Sequence, residues 1–250
     1  MPTFHAGPGL FPLPLPDFPI PSPLMDAMPA QLVDGLIVYL CFIPILTFHE
    51  FAHAWVASKC GDDTARDQGR VSLNPAVHID PLGTIFLPLL ALFLGAADSK
   101  LAGFIIGWGK PVPVNLSNLR HPRRDDTLVA LAGPFMNVLL AFGILVLVRI
   151  LAAAMGSLGD GGHWKVLFEM AGRLSVVSLF LCFFNLLPIP PLDGSHVLKN
   201  FIGLRDETYW RLCQYGFIAV IIALQFQFIQ DLLSVATHGT LLLMVRLLGL

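Results

Sequence analysis

Four long apolar runs, at roughly 32–58, 127–154, 172–190 and 214–235, constrain this chain more than any other feature. Each approaches or exceeds the roughly 20 residues that an α-helix needs to cross about 30 Å of hydrocarbon. Lipid offers backbone amides and carbonyls no partner, so crossing segments are helices unless they close into a barrel. Ionisable residues make up 13% of the 250, against about 25% in a soluble domain. That is too little charge to cover a chain that is 55% hydrophobic. The expected fold is an all-α membrane protein, a polytopic helical bundle of about 4–6 spans.

Two shorter runs, Thr84–Gly95 and Leu101–Trp108, sit between the first two long ones. Neither spans comfortably, but together they can form a re-entrant hairpin. If the N-terminus is outside and 81–108 returns to its own side, eleven of the fifteen Lys and Arg fall on the cytoplasmic side, as basic loops do. A single crossing would split the basic loops, so the hairpin is preferred. A small membrane-associated β or re-entrant element is therefore expected between the first two core helices. Residues 1–31 form a proline-rich arm (LFPLPLPDFPIPSPL) without Lys or Arg, unlike a secretory signal. Residues 32–235 are expected to be one membrane domain and 236–250 an apolar, interfacial tail; the terminal LLLMVRLLGL can also join a last span. The net charge of −2 leaves no basic surface for nucleic acid. Cys41, Cys60, Cys182 and Cys213 form no CxxC pair and read as small buried hydrophobes.

Inside the first run stands LTFHEFAHAW, in which His49, Glu50 and His53 interrupt an apolar helix. Histidines four residues apart share one helix face and can grip one zinc ion, with Glu50 beside it to take a proton from water. Random placement of the eight His and three Glu would give H-E-x-x-H in roughly 0.003 of such chains. An ionisable group inside a span costs about 2.5–3.5 kcal/mol on insertion scales, and Glu50 is the only glutamate in the four runs. His49 lies ten residues before Lys59, so about 15 Å below that basic boundary. The metal would sit near mid-bilayer, towards the cytoplasmic side.

Catalytic zinc generally takes three protein ligands and one water. The candidates for the third are His78, Asp80, His196 and Asp193. Asp193 stands out, because it ends FFNLLPIPPLDG, where Pro188, Pro190 and Pro191 forbid regular helix directly after an apolar run. Broken backbone at membrane depth is tolerated where it lines a cavity. His78 and Asp80, in SLNPAVHIDPLGT, read better as a polar turn. Two amides lie at lipid depth, Asn137 in AGPFMN and Asn185 in FFNLLP. They can hold a peptide carbonyl or oxyanion on the substrate side, or join helices.

HEFAH at 49–53, AGPFMN at 132–137 and NLLPIPPLDG at 185–194, in that order, resemble the site-2-protease family of intramembrane zinc metalloproteases; GRVSLNPAVHIDPLGT at 69–84 looks like its connector. The resemblance covers roughly residues 35–200, and no PDZ-like region is visible, as in a compact prokaryotic member. It implies one zinc per chain held by His49, His53 and Asp193, with Glu50 as general base and then proton donor. It places Asn137 and Asn185 on the substrate or oxyanion side. It further implies an endopeptidase that cuts a substrate's transmembrane segment within the lipid bilayer, in regulated intramembrane proteolysis, from a multi-pass position in the cytoplasmic (inner) membrane. The partner is then a transmembrane protein substrate. The physiological substrate, its cleavage site and the oligomeric state are not legible in the residues. Two other classes compete for the same residues. A metal transporter would need further ligands along a route, and the spans hold few outside the motif; an inactive membrane scaffold has no use for the complete motif set.

Overall fold

The protein is described by a computed structural model covering residues 30–96, 107–154 and 162–250. In chain order its helices are α1 (Ala30–Lys59), α2 (Thr64–Asp67), α3 (Leu87–Ala96), α4 (Pro122–Ala154), α5 (Gly162–Asn185), α6 (Asp193–Ile202), α7 (Asp206–Leu224) and α8 (Gln227–Leu248). Among the described residues, four stretches are long and apolar enough to cross a membrane: Gly35–Lys59, Pro122–Ala154, Leu167–Asn185 and Gln227–Leu248. The chain is an all-α polytopic membrane bundle. Because α5 starts earlier than its apolar run, Glu169 joins Glu50 inside a spanning helix.

Helices α1, α4 and α5 pack on one another at the centre. Lipid tails are as apolar as leucine, so helices associate in membranes by close contact rather than by expulsion of water. The sequence supplies small residues where that contact occurs. Ala52, Ala54, Ala57 and Ala141 are buried, and Ser178 Oγ of α5 donates to Asn137 O of α4 at 2.8 Å. Ile37, Val38, Cys41 and Ile45 of α1 pack on Val177 of α5. On the far side α8 covers α5, with Leu233 against Val176 and Phe180, and Met244 against Leu179.

The last span departs from the sequence expectation. The run 214–235 is not one helix: α7 ends at Leu224, the chain turns at Gln225–Phe226, and α8 runs to Leu248. The apolar residues after 236 therefore continue α8, a helix long and apolar enough to cross a membrane. A hydropathy window averages across a two-residue turn, whereas the backbone closes it, with Gln230 Nε2 capping Leu224 O at 2.7 Å.

The connector between α1 and α4 closes on itself, and no β-strand forms among its described residues. Asp80 caps the π-helical turn Pro81–Phe86 by accepting from Leu82 and Gly83 amides, and α3 follows. The chain then returns: Trp108 N donates to Gly83 O at 3.0 Å and Lys110 N to His78 O at 2.9 Å. The two ends of 83–108 thus meet, as a hairpin requires. Pro75, Pro81, Pro111 and Pro113 each withdraw a donor that a strand ladder through these segments would use. Residues 1–29 of the proline-rich arm and most of the second short apolar run lie outside the described residues.

Candidate metal centre

Helix α1 runs unbroken through Pro44 and carries His49 and His53 on successive turns of one buried face. Asp193 arrives from elsewhere. After α5 ends at Asn185, the turn through Pro188, Pro190 and Pro191 withholds the amides a helix would need, and α6 restarts at Asp193. Gly194 allows the restart to press on the end of α5, since a Cβ there would collide with Leu186 O. The result is that Asp193 Oδ2 stands 3.2 Å from His49 Nε2 and 3.4 Å from His53 Nε2, and the two Nε2 atoms are 3.0 Å apart.

This donor set fits a zinc ion. One atom from each of the three residues lies within 4.8 Å of the other two, and two imidazoles with one carboxylate is a ligand set of zinc hydrolases. Asp193 Oδ2 is buried and accepts no hydrogen bond among the described residues. Two ring nitrogens and a carboxylate oxygen converge on one point, as the ligands of a single cation do. Facing them is Gly133 of α4, where a Cβ would come within 2.6 Å of His49 Nε2 and closer still to His53 Nε2. The absence of that one carbon leaves room for the cluster.

Helix α4 also orients both rings. Val129 O is 2.7 Å from His53 Nδ1, and a carbonyl can only accept, so the ring proton sits on Nδ1 and leaves Nε2 free to ligate. Asn137, fully buried, places its amide 3.1 Å from His49 Nδ1. Its oxygen has no hydrogen-bond partner among the described residues.

A cavity of about 660 Å³ opens on the cluster, lined by Glu50, the Trp108–Leu116 segment, Asn185, Leu192 and residues 209–220 of α7. Glu50, next to His49, is half-buried and faces this space. Of the two amides expected on the substrate side, Asn185 lines the cavity, its Nδ2 donating to Leu181 O. Asn137 is not among the residues that line it; its amide stands against His49 Nδ1, on the ring edge away from Asp193. His78 hydrogen-bonds Ser72 O, Asp80 caps a turn, and His196 bonds Asp126, so none of these three joins the cluster.

The sequence reading did not single out Gly133 as a cradle, Val129 O or Asp126. A backbone carbonyl leaves no mark in a sequence, and Asp126 reads as one more charge in RRDD at a membrane boundary. Gly133 carried a partial signal, as the glycine of AGPFMN in an apolar helix.

Residues 148–224 match the family model described as peptidase family M50. That stretch includes NLLPIPPLDG but not HEFAH. The chain is 40% identical over 198 residues to "Putative zinc metalloprotease YwhC" of Bacillus subtilis (strain 168), covering 78% of this chain and 81% of that protein. Rip2 of Mycolicibacterium smegmatis (strain ATCC 700084 / mc(2)155), with the same descriptive name, is 33% identical over 195 residues, 76% of this chain and 66% of its own length. MJ0611 of Methanocaldococcus jannaschii, again so described, is 45% identical over 75 residues, 30% of this chain and 34% of its own. No solved structure matches.

Proposed function

The chain belongs to peptidase family M50, the site-2 proteases, and from that premise we propose that it is a zinc endopeptidase that hydrolyses a peptide bond within a substrate's membrane-spanning segment. The observation that carries this reading is the convergence of His49, His53 and Asp193 beside Glu50, on helices of a membrane bundle, at the end of a cavity.

One zinc per chain is held by His49 Nε2, His53 Nε2 and the Asp193 carboxylate. When bound it polarises a carbonyl and makes water acidic enough to lose a proton near neutrality. For His49 to offer Nε2, its proton sits on Nδ1, and the acceptor is the Asn137 oxygen, unpartnered among the described residues and presented by a half-turn of the amide. Glu50 takes one proton from the attacking water as its oxygen bonds to the scissile carbon. The C–N bond then breaks, and Glu50 returns that proton to the leaving nitrogen. Asn185 and the 109–114 segment, which line the cavity, face an unwound substrate there.

The substrate is a transmembrane protein, and cutting it within the bilayer gives regulated intramembrane proteolysis. Basic residues gather in the connector and around α6, which supports a cytoplasmic-membrane location with the centre towards the cytoplasmic side.

The test uses protein co-reconstituted in liposomes with single-span test proteins, alongside measurement of zinc per chain. Glu50→Gln should retain about one zinc and lose cleavage by at least about 100-fold. Cleavage that survives the change removes Glu50 from its role; no zinc in carefully prepared wild type sinks the metalloprotease reading itself.

A further inference from the structure

We infer that Asp126 is a positioning residue that sets where the Asp193 carboxylate stands relative to the two histidines; the inference rests on the zinc reading above. Asp193 and the histidines come from helices far apart in the chain, so something must fix their separation. Helix α4 is the element that touches both. It holds His53 through Val129 O. One turn earlier it holds α6 through the Asp126 carboxylate: Oδ1 accepts from His196 Nδ1 at 3.1 Å, and Oδ2 from Lys199 Nζ at 2.9 Å and Asn200 Nδ2 at 2.8 Å. His196 and Asn200 follow Asp193 by three and seven residues, so they share its face of α6, and Lys199, six residues on, reaches Asp126 from the flank of that face. Asn200 also donates to Thr127 Oγ1 at 3.1 Å. Four ties thus join two adjacent residues of α4 to the helix that starts with Asp193.

Asp126 is 3% exposed and Lys199 4%. A buried ion pair is weak evidence of net stability, because desolvating two charges cancels most of their attraction. What the pair supplies that apolar contact does not is direction. A carboxylate about 5 Å from the helix axis moves by about 0.9 Å for each 10° of helix rotation, against a ligation tolerance of about 0.2 Å. Leucine-like packing between α4 and α6 tolerates such a rotation. Three hydrogen bonds to one carboxylate do not.

The test is made on the full chain in detergent, stripped of metal, with zinc affinity read by competition with a chelating dye and the thermal midpoint of the metal-free form read beside it. In Asp126→Leu/Lys199→Met the buried pair is removed as a unit, and the Asp206 carboxylate that Lys199 Nζ also meets at 3.1 Å is exposed, so it is left in water and not as a buried charge. Expected is a midpoint close to wild type with zinc bound about 10- to 100-fold more weakly, as for partners behind metal ligands. Affinity within about twofold of wild type overturns the inference. Should that variant fail to fold, His196→Phe/Asn200→Ala keeps the ion pair, cuts three of the four ties, and must weaken zinc in the same direction; unchanged affinity there also overturns it. Asp193→Ala is the control that separates the two readings. If it binds zinc as wild type does, the three-ligand centre has failed, whatever Asp126 does.

Discussion

Replacing Gly133 by alanine puts a methyl group into the space that the two imidazoles face. Its Cβ would lie within 2.6 Å of His49 Nε2, where ordinary contact begins at 3.4 Å, so that ring must retreat by roughly 0.8 Å or more. The methyl would meet His53 Nε2 more closely still. Metal–ligand distances tolerate about 0.2 Å, so at least one imidazole leaves coordination. The cost to the fold is smaller. Alanine gains about 1 kcal/mol over glycine in a helix interior, against about 1–3 kcal/mol for overpacking. The metal-free protein is therefore expected to lose between nothing and about 2 kcal/mol, while zinc affinity falls by more than about 100-fold. Dye competition for zinc and thermal unfolding of the stripped protein in detergent read the two effects separately. Zinc affinity within about threefold of wild type would refute the reasoning, because the rings would then not ligate from the positions they hold here.

Two further outcomes follow from the connector, outside the spans. Asp62 is fully buried; burial alone would raise its carboxyl, but hydrogen bonds from Thr64, Asn118 and the Asn115 amide outweigh it and hold the group below the ordinary value of 3.8. A folded value below the unfolded one stabilises the fold above about pH 4 and loses that contribution as pH falls through the folded value. Asp62→Asn should thus cost about 1–3 kcal/mol at neutral pH, with the gap in thermal midpoint to wild type closing below about pH 4; a gap independent of pH would contradict this. Arg70, 3% exposed, donates through Nη2 to Lys110 O and Pro111 O, which back the cavity wall. Arg70→Ala should speed deuterium exchange across 107–116 by about 10- to 100-fold and leave zinc content intact, whereas unchanged exchange would free Arg70 from that role.

Much of this protein is legible in its residues, for reasons that differ from element to element. Lipid forces α1, α4 and α5 to be helices, and their apolar length shows through within a few residues. HEFAH announces itself because a helix repeat and the cost of buried charge leave few other reasons for two histidines and a glutamate there. Asp193 was legible through the prolines, which break the helix before it. The turn at Gln225–Phe226 was not, because two residues scarcely change a hydropathy average. Nor was the place of Asn137, since an amide in a span looks the same whether it faces a cavity or the back of a ring.

Sequence by itself determined the class of fold, the helix that carries His49 and His53, and the chemistry of the three groups, because each depends on composition or on spacing within one segment. Only the tertiary structure decided that Asp193 meets those histidines, that Gly133 leaves them room, that Asn137 stands behind His49 and that Asp126 grips α6. Those facts depend on which faces of α1, α4 and α6 are turned together. A rotation of any one helix by a few tens of degrees would change them all without altering a single residue.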